Sequence, residues 1–157
     1  MNDHALVDAL AQYRAGLDAE LALLEQLAVV AARQRGVTAR RDFEQLGIEG
    51  DERDRLTRAL VAVEEGLQPV RARLSAARDR VATLGGYAEV VALRQQASGL
   101  VARILSTDEE SMQSLADAEL ARRAAVASLE QGETTLAAYR RVLTPSISQA
   151  SLVDRRG

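Results

Sequence analysis

The sequence predicts an all-α chain: an elongated antiparallel helical bundle, or coiled coil, of three long helices with a flexible C-terminal tail. Three observations predict it. Apolar residues make up 47 % of the 157 positions, and Ala and Leu, the strongest helix formers, dominate them. Large aromatics, which fill thick globular interiors, are nearly missing, with 3 Tyr, 1 Phe and no Trp. The apolar positions recur at spacings of three and four, which lays a stripe along one face of each helix. A thin core of this kind forms where helices touch along seams.

The first helix is predicted over residues 3–35. Leu6, Leu10, Tyr13, Leu17, Leu21, Leu24, Ala28 and Ala31 form its stripe. Asp3 is placed to cap its start. Arg33 and Arg35 fall where cations favour the C-terminal end of the helix dipole, and Gly36 suits a C-terminal stop. At 1.5 Å per residue this helix is about 50 Å long. A short helix over residues 42–46 follows, with Asp42-Phe43-Glu44-Gln45 as a capping start. Gly47 and Gly50 bracket the loop after it.

The second long helix is predicted over residues 51–83. Its stripe is Leu56, Leu60, Val63, Leu67, Val70, Leu74, Ala77, Val81 and Leu84, with steps of four and three alternating throughout. That is the a/d pattern of a coiled-coil seam. Asp51, Glu52 and Asp54 suit a helix start, and Asp51–Arg55 and Asp54–Arg58 are i,i+4 pairs. Pro69 lies inside the pattern. Because the phase continues past it, a kink near Glu65-Gly66 is expected rather than a full break.

Gly85-Gly86 is the clearest breaker. The third long helix is predicted over residues 87–143, about 80 Å if continuous. Its seam runs Val90, Leu93, Ala97, Leu100, Ile104, Met112, Leu115, Ala118, Ala125, Leu129, Leu136 and Tyr139. Asp108 interrupts the seam, and Thr107 with Glu110 could cap a new start. A break near Ser106 and a continuous helix therefore both stand. Pro145 ends the pattern, which leaves residues 1–143 as one helical bundle domain and residues 144–157 as a Ser-containing flexible tail.

The length mismatch is the most informative feature. Two helices of about 50 Å cannot cover one of about 80 Å. The C-terminal half of the third helix therefore keeps an apolar stripe that its own chain does not hide, and an exposed apolar seam is a binding surface. The predicted partner-binding residues are Leu115, Leu129, Leu136, Tyr139 and Leu143, joined by Ile147 and Leu152 if the tail orders. Leu115 could equally belong to the core.

Other chemistry finds little support in the residues. Cysteine is absent, so no disulfide or thiolate metal site is expected. His4 is the single histidine and cannot supply the paired Glu-x-x-His ligands of a di-metal bundle. Asp108-Glu109-Glu110 could bind a cation or cap a helix, with solvated surface preferred. Met112 is read as packing. The net charge is −3 and every one of the 20 basic residues is Arg, scattered in pairs such as Arg40-Arg41 and Arg140-Arg141. A mildly acidic chain lacks the basic surface that general nucleic-acid binding needs. Residues 1–8 carry Asp3 and Asp8 instead of a basic leader, and the apolar run over residues 21–32 is too short to span a bilayer. A soluble cytoplasmic protein with no catalytic, cofactor or metal site is expected.

Several segments carry a resemblance. Ile104-Leu105-Ser106-Thr107-Asp108-Glu109-Glu110-Ser111-Met112-Gln113-Ser114-Leu115, then Leu129-Glu130-Gln131-Gly132 and Leu136-Ala137-Ala138-Tyr139-Arg140, resemble the C-terminal helix of FlgN-like flagellar export chaperones. Asp42-Phe43-Glu44-Gln45-Leu46 between two leucine-rich helices fits the same pattern. So does the closing Leu152-Val153-Asp154-Arg155-Arg156-Gly157. Gly36, Gly47, Gly50 and Pro69 depart from it. The resemblance implies a non-enzymatic chaperone that binds the C-terminal amphipathic helices of hook–filament junction proteins. It would deliver them to the flagellar type III export gate. The client helix would lie along the uncovered stripe, a helix-in-groove mode. The alternative is a self-associating structural coiled-coil protein, in which the same stripe is a homodimer seam.

Overall fold

The structure is a computed structural model that describes the backbone of residues 2–154 and the side chains of residues 2–141. Every regular element among the described residues is a helix: α1 Asp3–Ala39, α2 Phe43–Ala76, α3 Arg78–Val81 and α4 Tyr87–Asp154. The all-α expectation therefore holds. The chain divides into two units, residues 1–114 and residues 115–157. The sequence reading placed its boundary at residue 143.

In the first unit α1 and α2 run antiparallel. Arg33 donates to Glu49 at 3.0 Å near one end, and Arg80, just beyond α2, pairs with Asp3 near the other. Between them Gly16 packs so closely on Leu67 that a Cβ there would sit 2.7 Å from one Leu67 methyl. The first stretch of α4 runs in the same sense as α1, joined to it by Arg14–Glu89 and by Arg35–Glu110 at 3.1 Å. Two apolar clusters fill the unit. One gathers Leu6, Leu10, Tyr13, Leu67, Leu74 and Val90, and the other Leu21, Leu24, Val30, Leu56, Leu100 and Ile104. Burying each of these large side chains contributes about 1.5–3 kcal/mol.

The helix ends differ from the sequence reading in instructive ways. Asn2, not Asp3, caps α1, accepting from the Ala5 N–H at 2.9 Å. Gly36 does not stop α1. A glycine inside a helix costs only about 1 kcal/mol, and buried Val37 and Thr38 hold the extra turn against the bundle. The stop falls at Arg41, whose φ of 59° is left-handed. There the Asp42 N–H reaches the Val37 carbonyl at 2.9 Å and the Arg41 N–H the Thr38 carbonyl at 3.0 Å. This is the Schellman closure, with arginine where glycine is usual.

Asp42 then starts α2, accepting from the Gln45 N–H at 3.2 Å. The predicted short helix over residues 42–46 and the second long helix are one element, because neither Gly47 nor Gly50 breaks it. Buried Glu49, held by Arg33 and Gln45, ties down the intervening turns. Asp51, Glu52 and Asp54 therefore lie within α2 and do not start it. The ion pair observed there is Glu52 with Arg55, at 2.7 Å. Pro69 sits inside α2 without ending it, since a proline deletes a single ladder bond. The break comes at Ala77, whose N–H turns back to Leu74 at 3.2 Å, and the four-residue α3 carries Val81 into the core. Gly86, with φ of 89°, makes the turn into α4.

α4 is continuous through Ser106 and runs past Pro145 to Asp154, where the sequence reading ended it at residue 143 and expected a flexible tail. Thr107 caps nothing; its hydroxyl donates to the Arg103 carbonyl at 3.0 Å, a bond that helical residues make within the ladder. Asp108 is half-buried and paired, not a free surface carboxylate. Both its oxygens take Arg53 guanidinium N–H groups at 2.6 Å, and Arg53 also donates to Gln34 at 2.8 Å. One side-chain fork thereby joins α1, α2 and α4. Met112, read from sequence as packing, is exposed.

Candidate functional site

The candidate surface belongs to the second unit, where α4 continues from Leu115. This stretch is rich in alanine, so its helix draws on intrinsic propensity. Local bonds add to it. Arg122 and Arg123 both donate to Glu119, at 2.9–3.1 Å, and hold its carboxyl down to about 2. The Thr134 and Thr135 hydroxyls donate to the carbonyls of Glu130 and Gln131, each at 2.9 Å.

Apolar side chains on this stretch meet water. Leu129 is 69 % exposed, Leu136 60 % and Tyr139 69 %. On the same helix Leu100 and Ile104 are 9 % and 7 % exposed. Leu115 is 38 % exposed, which answers the choice between core and surface in favour of surface. Steps of fourteen, seven and three (Leu115, Leu129, Leu136, then Tyr139) bring these four to one side of the helix. The other predicted members, Leu143, Ile147 and Leu152, have side chains outside the described residues. Val126 and Leu120, also exposed, escaped the sequence reading. Val126 follows Ala125 at the edge of the stripe, and Leu120 lies on the opposite side.

A second feature went unread. Glu20 is 5 % exposed, and its Oε1 has no hydrogen-bond partner. Burial, then the neighbouring Glu64 carboxyl, pushes Glu20 up from 4.5 to about 7, against the pull of Arg71. Glu64 is held low, first by its bond with Glu20 and then by Arg71, which donates to it at 3.1 and 3.2 Å. Arg71 also lies 5.8 Å from the centre of the Tyr13 ring. Glu20 and Glu64 thus form a carboxyl pair in which Arg71 favours the charged form of Glu64. The pair lines an open groove of 420 Å³ whose other walls include Leu24, Leu60, Ala97 and Leu105. The signal was available in the sequence: Leu17, Glu20 and Leu24 keep the three-four spacing, so Glu20 occupies a seam position.

An adjacent groove of 460 Å³ is lined by Arg71, Arg78 and Arg94 together with Tyr13 and Tyr87. Among the described residues no group of three His, Asp or Glu side chains is placed to hold a metal ion. No helix among them is long and apolar enough to cross a membrane. Comparison of the chain with protein-family models, curated proteins and solved structures finds no match.

Proposed function

We propose that the protein is a cytoplasmic flagellar export chaperone of the FlgN-like kind. In this reading three long helices, α1, α2 and α4, form an antiparallel coiled-coil bundle that acts as a scaffold. α4 presents Leu115, Leu129, Leu136 and Tyr139 to the C-terminal amphipathic helix of a hook–filament junction protein. The exposure of those four side chains is the observation that supports the reading. Covering a leucine that stands in water is worth about 1.5–3 kcal/mol, so a client helix that covers several of them gains enough to offset its own ordering. The client's apolar face is hidden in the same step, which keeps an unassembled subunit from aggregating. Delivery to the type III export gate follows from release of that helix. Neither step calls for a cofactor or for catalysis.

The test is co-purification with the C-terminal helices of hook–filament junction proteins. A soluble complex is expected from the unaltered chain, and loss of it from the double substitution Leu136→Glu and Tyr139→Glu. Both side chains already face water, so folding is expected to survive the change. A double variant that still binds its client removes this face as the site.

A further inference from the structure

The groove beside Tyr13 has a wall of one charge. Arg71 on α2, Arg78 on α3 and Arg94 on α4 line it, and its lining among the described residues includes no Asp or Glu. The chain as a whole carries a net charge of −3, so this gathering of positive charge runs against the composition. The acids that come near are engaged. Glu64 pairs with Arg71, and Glu89, next in sequence to the lining residue Val90, pairs with Arg14. Arg78 and Arg94 are exposed, and the side chain of neither has an ion pair or hydrogen bond among the described residues.

Arg71 is already fixed in place. Its Nη2 donates to both oxygens of Glu64, at 3.1 and 3.2 Å, and its guanidinium lies 5.8 Å from the centre of the buried Tyr13 ring. A guanidinium carries five N–H donors in a planar fork. The bonds to Glu64 use one of its three nitrogens and leave further donors for a second acceptor. The rest of the lining is largely apolar and aromatic, with Leu10, Val91 and half-buried Tyr87. Charge and apolar surface thus meet in one concavity, the combination that marks small-molecule sites.

We propose that this groove binds a phosphate monoester with a flat ring body, of the nucleoside monophosphate class. A phosphate monoester carries about −1.5 to −2 charges at pH 7, which two unpaired guanidiniums balance. Its three terminal oxygens accept from planar arginine forks, and Arg71, Arg78 and Arg94 supply three. The ring body takes the apolar lining and stacks on Tyr87, as bases stack on aromatic side chains. The 460 Å³ of the groove falls within the about 300–1,000 Å³ of small-molecule sites. Inorganic phosphate would satisfy the arginines and leave the apolar lining bare, so the organic body adds affinity. The site uses residues of the first unit alone, and it does not depend on the chaperone reading.

The test is calorimetric titration of the full chain with adenosine monophosphate, inorganic phosphate and a hexaglutamate peptide at low, fixed ionic strength. Adenosine monophosphate should saturate a single site, and inorganic phosphate should bind about tenfold more weakly. The double variant Arg78→Gln with Arg94→Gln should lose about tenfold or more, because it removes charge-assisted donors. Both side chains are exposed, so helix content should stay unaltered. The control Arg58→Gln with Arg73→Gln removes the same charge from exposed positions outside the lining. It should bind within about twofold of the unaltered chain. The absence of saturable binding at millimolar adenosine monophosphate overturns the proposal. So does an equal loss in the two double variants, which marks diffuse charge. Inorganic phosphate or hexaglutamate binding as tightly as adenosine monophosphate overturns it as well. Client binding is assayed separately with client helices, so failure of one reading leaves the other standing.

Discussion

Replacing Glu20 with glutamine should make the first unit more stable at alkaline pH. The carboxyl is 5 % exposed and its proton is retained up to about 7, where 4.5 is ordinary. Between those values the folded chain holds a proton that the unfolded chain has given up. Stability from this group is therefore complete below the unfolded pKa and is lost as pH rises through the folded one. At 1.36 kcal/mol per unit the loss is about 3 kcal/mol. Glu64, held low, acts at the acid end: its contribution is present above the unfolded carboxylate pKa and lost as pH falls through its folded value. A comparison of about pH 5.5 with about pH 8 thus isolates Glu20. Glutamine keeps an N–H donor toward Glu64 and cannot ionise. The assay is urea unfolding followed by circular dichroism at both pH values. Because about one unit is already lost at pH 5.5, the unaltered chain should lose roughly 2 kcal/mol on going to the higher pH, while Glu20→Gln should lose little and overtake it. Equal stability of the unaltered chain at both pH values, or a glutamine variant weaker than it at the higher pH, refutes the reasoning.

Four further outcomes follow from the packing. Gly16→Ala should cost about 1–3 kcal/mol in urea unfolding, because the new methyl drives into the buried Leu67 side chain. A value near zero would mean that α1 and α2 can part there freely. Arg53→Ala should cost about 2 kcal/mol by thermal or urea unfolding, since it strands half-buried Asp108 without its two 2.6 Å donors; Asp108→Asn restored beside it should recover part of the loss. Leu56→Ala, at a side chain fully shut off from water, should cost about 2–5 kcal/mol. Leu129→Glu should change unfolding by less than about 0.5 kcal/mol, and the contrast between these two leucines separates scaffold from surface.

Much of the first unit was legible in its spacing. The run from Leu6 to Leu24 and the steps from Leu56 to Val81 named residues that the structure buries or half-buries, because a helix of fixed pitch turns spacing into a face. The ends were harder. Gly36, Gly47 and Gly50 read as stops, yet each costs a helix about 1 kcal/mol, and buried neighbours such as Val37, Glu49 and Leu56 outweigh that. The stop at Arg41 had no local signal, since its left-handed backbone is set by the two Schellman bonds and not by residue type. Of the candidate surface, the sequence named Leu129, Leu136 and Tyr139 and left Leu115 undecided. It passed over Val126, which sits beside the stripe.

Periodicity by itself determined that this chain is helical and which residues share a face, since both depend only on the pitch of a helix and on apolar side chains leaving water. Only the tertiary structure decided which of those faces another helix covers. The same alternation of three and four runs through Leu100 and Leu129, and one is shut away while the other stands in water. Tertiary contact also made Glu20 a proton-holding group and Asp108 a clasp. A carboxylate's energy depends on what lies within a few ångströms of it, and those neighbours, Glu64 and Arg53, are 44 and 55 residues distant in the chain.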